Sequence, residues 1–341
     1  MREGAEAEEA AFLVQEVEKL GQKLAGVRAA IGSAIYGQAD VVEQSLIGLL
    51  SGGHVLLVGV PGLGKTKLVE TLGRVMGLDA KRVQFTPDLM PSDILGTEIL
   101  EEDHGTGKRH FKFQQGPVFP NLLLADELNR TPPKTQAALL EAMQEKAITI
   151  GGNRYELEEP FIVLATQNPL EMEGTYPLPE AQMDRFLLHV YIDYGTEEAE
   201  AQVIRLVRGE EATSSGSDEE APVIQQVIFD ARKEINQVQV SETIEKYIVD
   251  LVFATRYPER YDEKLASWIR IGASPRGAIG LDKCVRVHAW LNGRDHVLPD
   301  DVRAVIHGVL RHRIALSYEA NADGVSSNDV IDKILKLVAV A

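Results

Sequence analysis

The chain has 341 residues, 44% of them hydrophobic, which leaves room for two domains around a substantial core. Its formal net charge of −17 disfavours tight sequence-independent binding to nucleic acid and docking on an anionic membrane surface. Cys284 is the only cysteine, so no intrachain disulfide can form.

The N-terminal MREGAEAEEAAF is acidic and has neither the basic start nor the apolar run of a signal peptide. No stretch approaches the ~20 apolar residues of a membrane helix. The expectation is a soluble, cytoplasmic protein without a membrane partner. From Phe12 to Ile31, Leu13, Val17, Leu20, Leu24, Val27 and Ile31 recur at helical spacing, so residues 1–32 read as an N-terminal helix. Ile35-Tyr36-Gly37-Gln38 breaks the pattern, and a second helix from Ala39 to Leu50 delivers the chain to an apolar strand, Val55 to Val58.

That strand runs into Gly59-Val60-Pro61-Gly62-Leu63-Gly64-Lys65-Thr66, which fits G-x-x-x-x-G-K-[ST], and Lys67 to Arg74 follows as a helix. Strand, glycine-rich loop and helix together make a cradle for the phosphates of a nucleoside triphosphate. The cradle comprises Val60, Pro61, Gly62, Leu63, Gly64, Lys65, Thr66 and Lys67, and its glycines let backbone N–H groups turn inward at the positive end of the helix. Lys65 is placed to reach the outer phosphates, and the Thr66 hydroxyl to hold Mg²⁺.

Arg82 to Phe85 reads as a second strand and Pro87 to Leu95 as a short helix. Gly96 to Gln115 carries two short strand segments around a turn-rich centre, a hairpin signal. Asn121 to Ala125 is an apolar strand ending in Asp126-Glu127. Asp126 would order the metal's water shell, and Glu127 would polarise the attacking water. Thr131 is the expected cap and Pro132 the first residue of the next helix, with Ala137, Leu140 and Met143 on its buried side. Ala147 to Leu157 reads as a second hairpin around Gly151-Gly152-Asn153. Phe161 to Thr166 is a strand that ends near Asn168, whose amide could orient water, and Phe186 to Ile192 is another. Five strands interleaved with helices or hairpins predict an α/β fold whose ligand sits at the carboxyl ends of the strands.

From Thr196 the strand signal stops. A helix runs to Val207, residues 209–222 (GEEATSSGSDEEAP) form an acidic, Ser-rich loop, and later helices follow Ser241, Ser274-Pro275-Arg276 and Pro299-Asp300. The predicted organisation is an α/β core from 33 to 195, with hairpins at 96–115 and 147–157, and a helical lid domain from 196 to 341. Arg185, just before a strand, and Arg276, opening a lid helix, are candidate γ-phosphate cations. Arg130 competes with Arg185 for that role.

The order GVPGLGKT, LLLADE, ATQN, DRF, SPRG resembles that of an AAA+ ATPase, over roughly residues 33 to 312. The finer wording of DELNRTPPKTQAALLEAMQE, ATQNPLEMEGTYPLPEAQMDRF and GASPRGAIGL is similar to the MoxR family. The resemblance implies that Lys65 and Thr66 act as Walker A, Asp126 and Glu127 as Walker B, Asn168 as sensor 1 and Arg276 as sensor 2. It makes Arg185 a finger that reaches the neighbouring subunit's nucleotide, and places Ile35, Tyr36 and Gly37 beside adenine. It implies a five-stranded parallel sheet, hairpins lining the central pore of a hexamer, and chaperone-like remodelling of client enzymes for metal or cofactor insertion. A separate von Willebrand factor A partner is also implied, because no such module is fused here. Three other readings are weighed: a DNA-translocating ring, a chelatase-type ATPase subunit, and a nucleotide switch with little turnover. Lys108, Arg109, Lys112 and Arg154 on the hairpins face Glu98, Glu101, Glu102, Asp103 and Glu156, a poor lining for a polyanion channel.

Overall fold

The computed structural model describes residues 26, 31–32, 37–60, 62–102, 109–169, 173–212 and 226–340. Most of the expected N-terminal helix, together with Ile35, Tyr36, Pro61, the first hairpin's turn with Lys108, and residues 213–222 of the acidic loop, lies outside them. The chain forms two compact units. One holds residues 52–74 and 78–194; the other holds the described residues of 1–51, 75–77 and 195–341.

In the first unit the strands in chain order are β1 (Val55–Gly59), β2 (Ala80–Gln84), β3 (Gly96–Glu102), β4 (Arg109–Gln115), β5 (Leu122–Asp126), β6 (Ala147–Ile150), β7 (Asn153–Glu156), β8 (Ile162–Gln167) and β9 (Leu188–Ile192). Five of them make one all-parallel sheet in the order β2-β5-β8-β1-β9. Its middle strands are apolar because both faces are covered: every residue of β1 and β5 is buried. Edge strand β2, with the sequence AKRVQ, is mostly exposed. Parallel strands bring the ends of β1, β5 and β8 to one rim, where ligands of such sheets bind.

The two expected hairpins form. β3 pairs antiparallel with β4 from Gly96↔Gln115 to Glu102↔Arg109, and β6 with β7 from Ala147↔Glu156 to Ile150↔Asn153. Gly151 and Gly152 both have positive φ (57° and 83°), the conformation that a two-residue turn of this twist requires. Phe113 stacks on Tyr155 with ring centroids 4.1 Å apart, so the hairpins share an aromatic contact.

Several local expectations need correction. The helix after the acids spans Pro133–Glu145, and Pro132 stands outside it with φ −59° and ψ 153°. A residue preceding proline is pushed out of the helical region, and Pro133 does this to Pro132. Thr131 therefore does not cap the helix; its hydroxyl points to the Leu89 carbonyl, which the Thr135 hydroxyl also meets at 2.8 Å. Ala137 is exposed, because the buried stripe runs through Gln136, Leu139, Leu140 and Met143 and leaves position 137 on the other side. The phosphate-loop helix spans Lys65–Val75 and begins two residues earlier than expected.

The second unit is built mainly of helices: Ala39–Leu50, Glu197–Ala212, Gln226–Ile235, Glu242–Arg256, Glu263–Trp268, Pro275–Leu291, Pro299–Leu310, Tyr318–Ala322 and Ser327–Leu337. Ser241 and Ser274 cap the helices they precede, through the N–H groups of Ile244 and Arg276. Pro275–Leu291 packs against Ala39–Leu50, Gln226–Ile235, Glu242–Arg256 and Pro299–Leu310. This unit is not free of strands: β10 (Ile269–Ile271) pairs antiparallel with β11 (Ala315–Leu316). The helix from Glu197 continues to Ala212, into the stretch expected to be loop. Among the described residues no helix is long and apolar enough to cross a membrane.

Candidate active site

β1 ends at Gly59, where a Cβ would stand 2.4 Å from the Ile192 carbonyl of β9, so the strand pairing itself demands glycine. In the loop beyond, Gly62 and Gly64 have φ of +86° and +74°, and a Cβ on either would meet nothing within 4 Å. Backbone conformation, not crowding, selects glycine there, and the space above the loop stays open. Val60, Leu63, Lys65, Thr66 and Lys67 are all half-buried. The Lys65 ammonium donates to the Gly59 carbonyl at 2.6 Å. Burial lowers its pKa from the ordinary lysine value, opposed by the negative charges of Asp126 and Glu127.

The two acids leave β5 in different states. Asp126, the last strand residue, is buried. Its Oδ1 accepts from the Thr166 hydroxyl at 2.6 Å, and its Oδ2 accepts from the Arg82 guanidinium at 2.7 Å. Glu127 turns the chain with φ 56° and ψ 49°, a left-handed conformation that costs a non-glycine residue roughly 1–2 kcal/mol. The Glu127 N–H donates to the same Thr166 hydroxyl at 2.8 Å. Its carboxylate accepts from Gln84 Nε2 at 2.6 Å and from Arg130 Nε at 2.9 Å. Thr166, fully buried on β8, thus fixes one acid by donating and the turn of the other by accepting.

Asn168 is buried just past β8, one residue beyond the Gln167↔Val58 pair, and so stands level with Gly59 at the same rim. Arg185 does not join this cluster. It precedes β9, whose Leu188 pairs with Val55 at the start of β1, while the phosphate loop leaves the far end of that strand. At about 3.3 Å per residue the length of β1 alone separates the two levels by roughly 13 Å. Among the described residues no side chain pairs with the Arg185 guanidinium. Gly37 and Arg276 belong to the other unit: Gly37 has φ +75°, and Arg276 is exposed in the first turn of its helix. Arg130, read as a rival for Arg185, is committed to Glu127 of its own chain.

Arg82, Gln84 and Thr166 were not singled out by sequence. Gln84 stands beside Asp126 in the β2–β5 register, and Arg82 precedes it by two residues, on the same face of the strand. Thr166 carried one signal, a hydroxyl at the end of an apolar strand. A fourth is Gln136, fully buried, whose Nε2 lies within hydrogen-bond distance of the carbonyls of Leu128, Thr131 and Tyr176 (3.3, 3.1 and 2.9 Å).

These residues fit a nucleoside triphosphate with a divalent cation. The loop has open space above positive-φ glycines, a lysine rests on the loop's own carbonyl, the Thr66 hydroxyl lies in the first turn of the helix, and a buried carboxylate, Asp126, ends β5. Among the described residues no group of three or more His, Cys, Asp or Glu could cage a metal alone. A cation here would share Thr66 and Asp126 with phosphate oxygens, as Mg²⁺ commonly does.

The sheet order, the loop and the paired acids define a P-loop ATPase of the AAA class. Consistent with this, the ATPase family associated with various cellular activities (AAA) matches residues 54–188, and the AAA lid domain matches residues 265–334. More narrowly, the chain belongs to the MoxR family of AAA+ ATPases. It is 46% identical over 309 residues to chaperone MoxR1 of Mycobacterium tuberculosis, covering 90% of this chain and 79% of that one. It is 32% identical over 302 residues to protein MoxR of Paracoccus denitrificans, covering 85% and 87%. Among solved structures it is similar to a candidate ATPase from Cytophaga hutchinsonii, with a TM-score of 0.90 and 46% identity over 98% of this chain and 99% of that one.

Proposed function

We propose that this ATPase works as a Mg²⁺-dependent homo-oligomeric ring, hexameric in its working state, in which each ATP lies between neighbouring copies. The observation that carries this reading is the position of Arg185. It lies at the opposite end of the sheet from Lys65 and Glu127, out of reach of its own site, which supports a role for it at a neighbour's site. When bound, Mg²⁺ supplies charge neutralisation between phosphate oxygens. Lys65 exchanges the Gly59 carbonyl for phosphate, Thr66 and Asp126 hold the cation, and Glu127 takes the proton of the attacking water while Asn168 orients it. A partner's arginine at the γ-phosphate is worth roughly 10³–10⁵ in rate. Gly37 with Ile35 and Tyr36 serves the adenine side, and Arg276 closes the lid in a core-and-lid division at residues 195 and 196.

The work done is remodelling of protein clients in the cytoplasm, for metal or cofactor insertion or complex maturation, with a separate von Willebrand factor A protein as adaptor. The hairpin charges favour protein over nucleic acid. Arg109 pairs with Glu102, Lys112 with Glu101 and Arg154 with Glu156, which leaves these cations neutralised by their own hairpins. The alternatives remain a helicase-like or chelatase-type ring.

Mixing variants tests the shared site. Arg185→Ala and Glu127→Gln rings should each be inactive, and mixed rings should regain part of the parental ATPase activity, because some interfaces then hold an intact glutamate and an intact arginine. Mixed rings that stay as inactive as either parent variant would refute the trans role of Arg185.

A further inference from the structure

Asp126 is the metal-side acid of the proposed site, and both of its carboxylate oxygens are already engaged. The partner of Oδ1, the Thr166 hydroxyl, is buried and also holds the Glu127 backbone, so it is built to stay. The partner of Oδ2 is different in kind. Arg82 reaches it from edge strand β2 with Nε at 3.2 Å and a terminal nitrogen at 2.7 Å, on a side chain that is 48% exposed. Such a side chain can swing into solvent at small cost.

We propose that Arg82 is a resident counter-cation for Asp126, occupying the oxygen that magnesium loading needs and leaving it when the metal arrives. Two like charges cannot share one carboxylate oxygen, so guanidinium and metal compete. Arg82 therefore sets the metal affinity of the site as a positioning residue and touches no substrate. The same terminal nitrogen donates to Gln84 Oε1 at 2.8 Å, and the Gln84 amide in turn donates to Glu127. Release of Arg82 from Asp126 also removes the bond that orients Gln84, so metal loading at one acid loosens the restraint on the other.

This inference rests on Asp126 being the metal-side acid, and the experiment separates the two claims. Full-length protein with a bound fluorescent ADP analogue is titrated with Mg²⁺, and Mn²⁺ binding is followed directly by electron paramagnetic resonance. Arg82→Met should lower the half-saturating Mg²⁺ and Mn²⁺ concentrations on the order of fivefold, as for loss of a partly exposed ion pair. Arg82→Lys, which keeps the charge, should stay within about twofold of the parent. Nucleotide affinity in EDTA should be unchanged in both. An Arg82→Met midpoint that is unmoved or raised overturns the proposal; so does weaker nucleotide binding in EDTA, which would make Arg82 a phosphate ligand. Asp126→Asn reports on the underlying reading. If it titrates like the parent, the metal assignment fails; if it loses metal binding while Arg82→Met stays at the parental midpoint, only the Arg82 proposal fails. Arg82→Gln serves as a second charge-free variant should Arg82→Met fold poorly.

Discussion

Acidification should loosen the nucleotide-binding unit through one histidine. His54, just before β1, is buried; its Nε2 donates to the Met143 carbonyl at 3.1 Å and its Nδ1 accepts from the Val163 N–H at 3.0 Å. The imidazole thus joins the phosphate-loop strand to β8 and to the helix behind the acids, and it does so as a neutral ring. Burial is the main reason its pKa falls from 6.5 to about 4. With the folded value below the unfolded one, the unfolded chain binds the extra proton first. The stabilisation is present above pH 6.5 and is lost as pH falls towards 4. At about 1.36 kcal/mol per pH unit the full loss is roughly 3 kcal/mol, and about 2.5 kcal/mol of it has gone by pH 4.5. His54→Gln keeps a donor and an acceptor but cannot titrate. Urea unfolding at pH 7.5 and 4.5 should therefore show the parent losing about 2.5 kcal/mol more than the variant over that interval. Equal losses would refute the assignment of this acid sensitivity to His54.

The remaining predictions concern the acids and their supports. Glu127→Gln should bind ATP with parental affinity and lose at least ~10²-fold in turnover, measured by filter binding and phosphate release. Thr166→Val is close to isosteric but strands Asp126 Oδ1 and the Glu127 N–H; stability should drop by about 1–3 kcal/mol in urea, and turnover should drop with it. Gln136→Glu turns a donor into a carboxylate facing three carbonyls and should cost about 3 kcal/mol or more, against about 1–2 kcal/mol for Gln136→Met.

The sheet was legible in sequence because its central strands are buried on both faces and so read as unbroken apolar runs, as in Leu122–Ala125 and Phe161–Thr166. The second hairpin was legible because Gly151-Gly152 supplies the positive φ that its turn needs. What stayed hidden depends on pairing between distant residues. Arg82 and Gln84 read as polar residues of an edge strand until the β2–β5 register sets them beside Asp126. β10 and β11 are too short to show a pattern, and pair across a long sequence gap. The error at Thr131 was local. Of two successive prolines, the second takes the first helical position, because Pro133 pushes its predecessor out of the helical region.

The length of the sheet supports the proposed sharing of a site between copies. The sheet holds the acids at the carboxyl ends of its strands and Arg185 at the amino end of β9, and no side chain bridges that length. Yet the two ends are not independent. The turn after Glu127 is tied to a distant segment: the Asn129 carbonyl accepts from the Tyr176 N–H at 2.6 Å, and the Gln136 amide lies within hydrogen-bond distance of the carbonyls of Leu128, Thr131 and Tyr176. Tyr176 lies on the segment that leads through the Glu180–Met183 helix to Arg185. A change in the Glu127 turn therefore pulls on the backbone carrying the arginine proposed for the neighbouring site. Gln136→Met, which spares both functional side chains, should for that reason weaken the rescue of Glu127→Gln rings by Arg185→Ala rings. Undiminished rescue in that background would show that the two ends of the sheet act without this link.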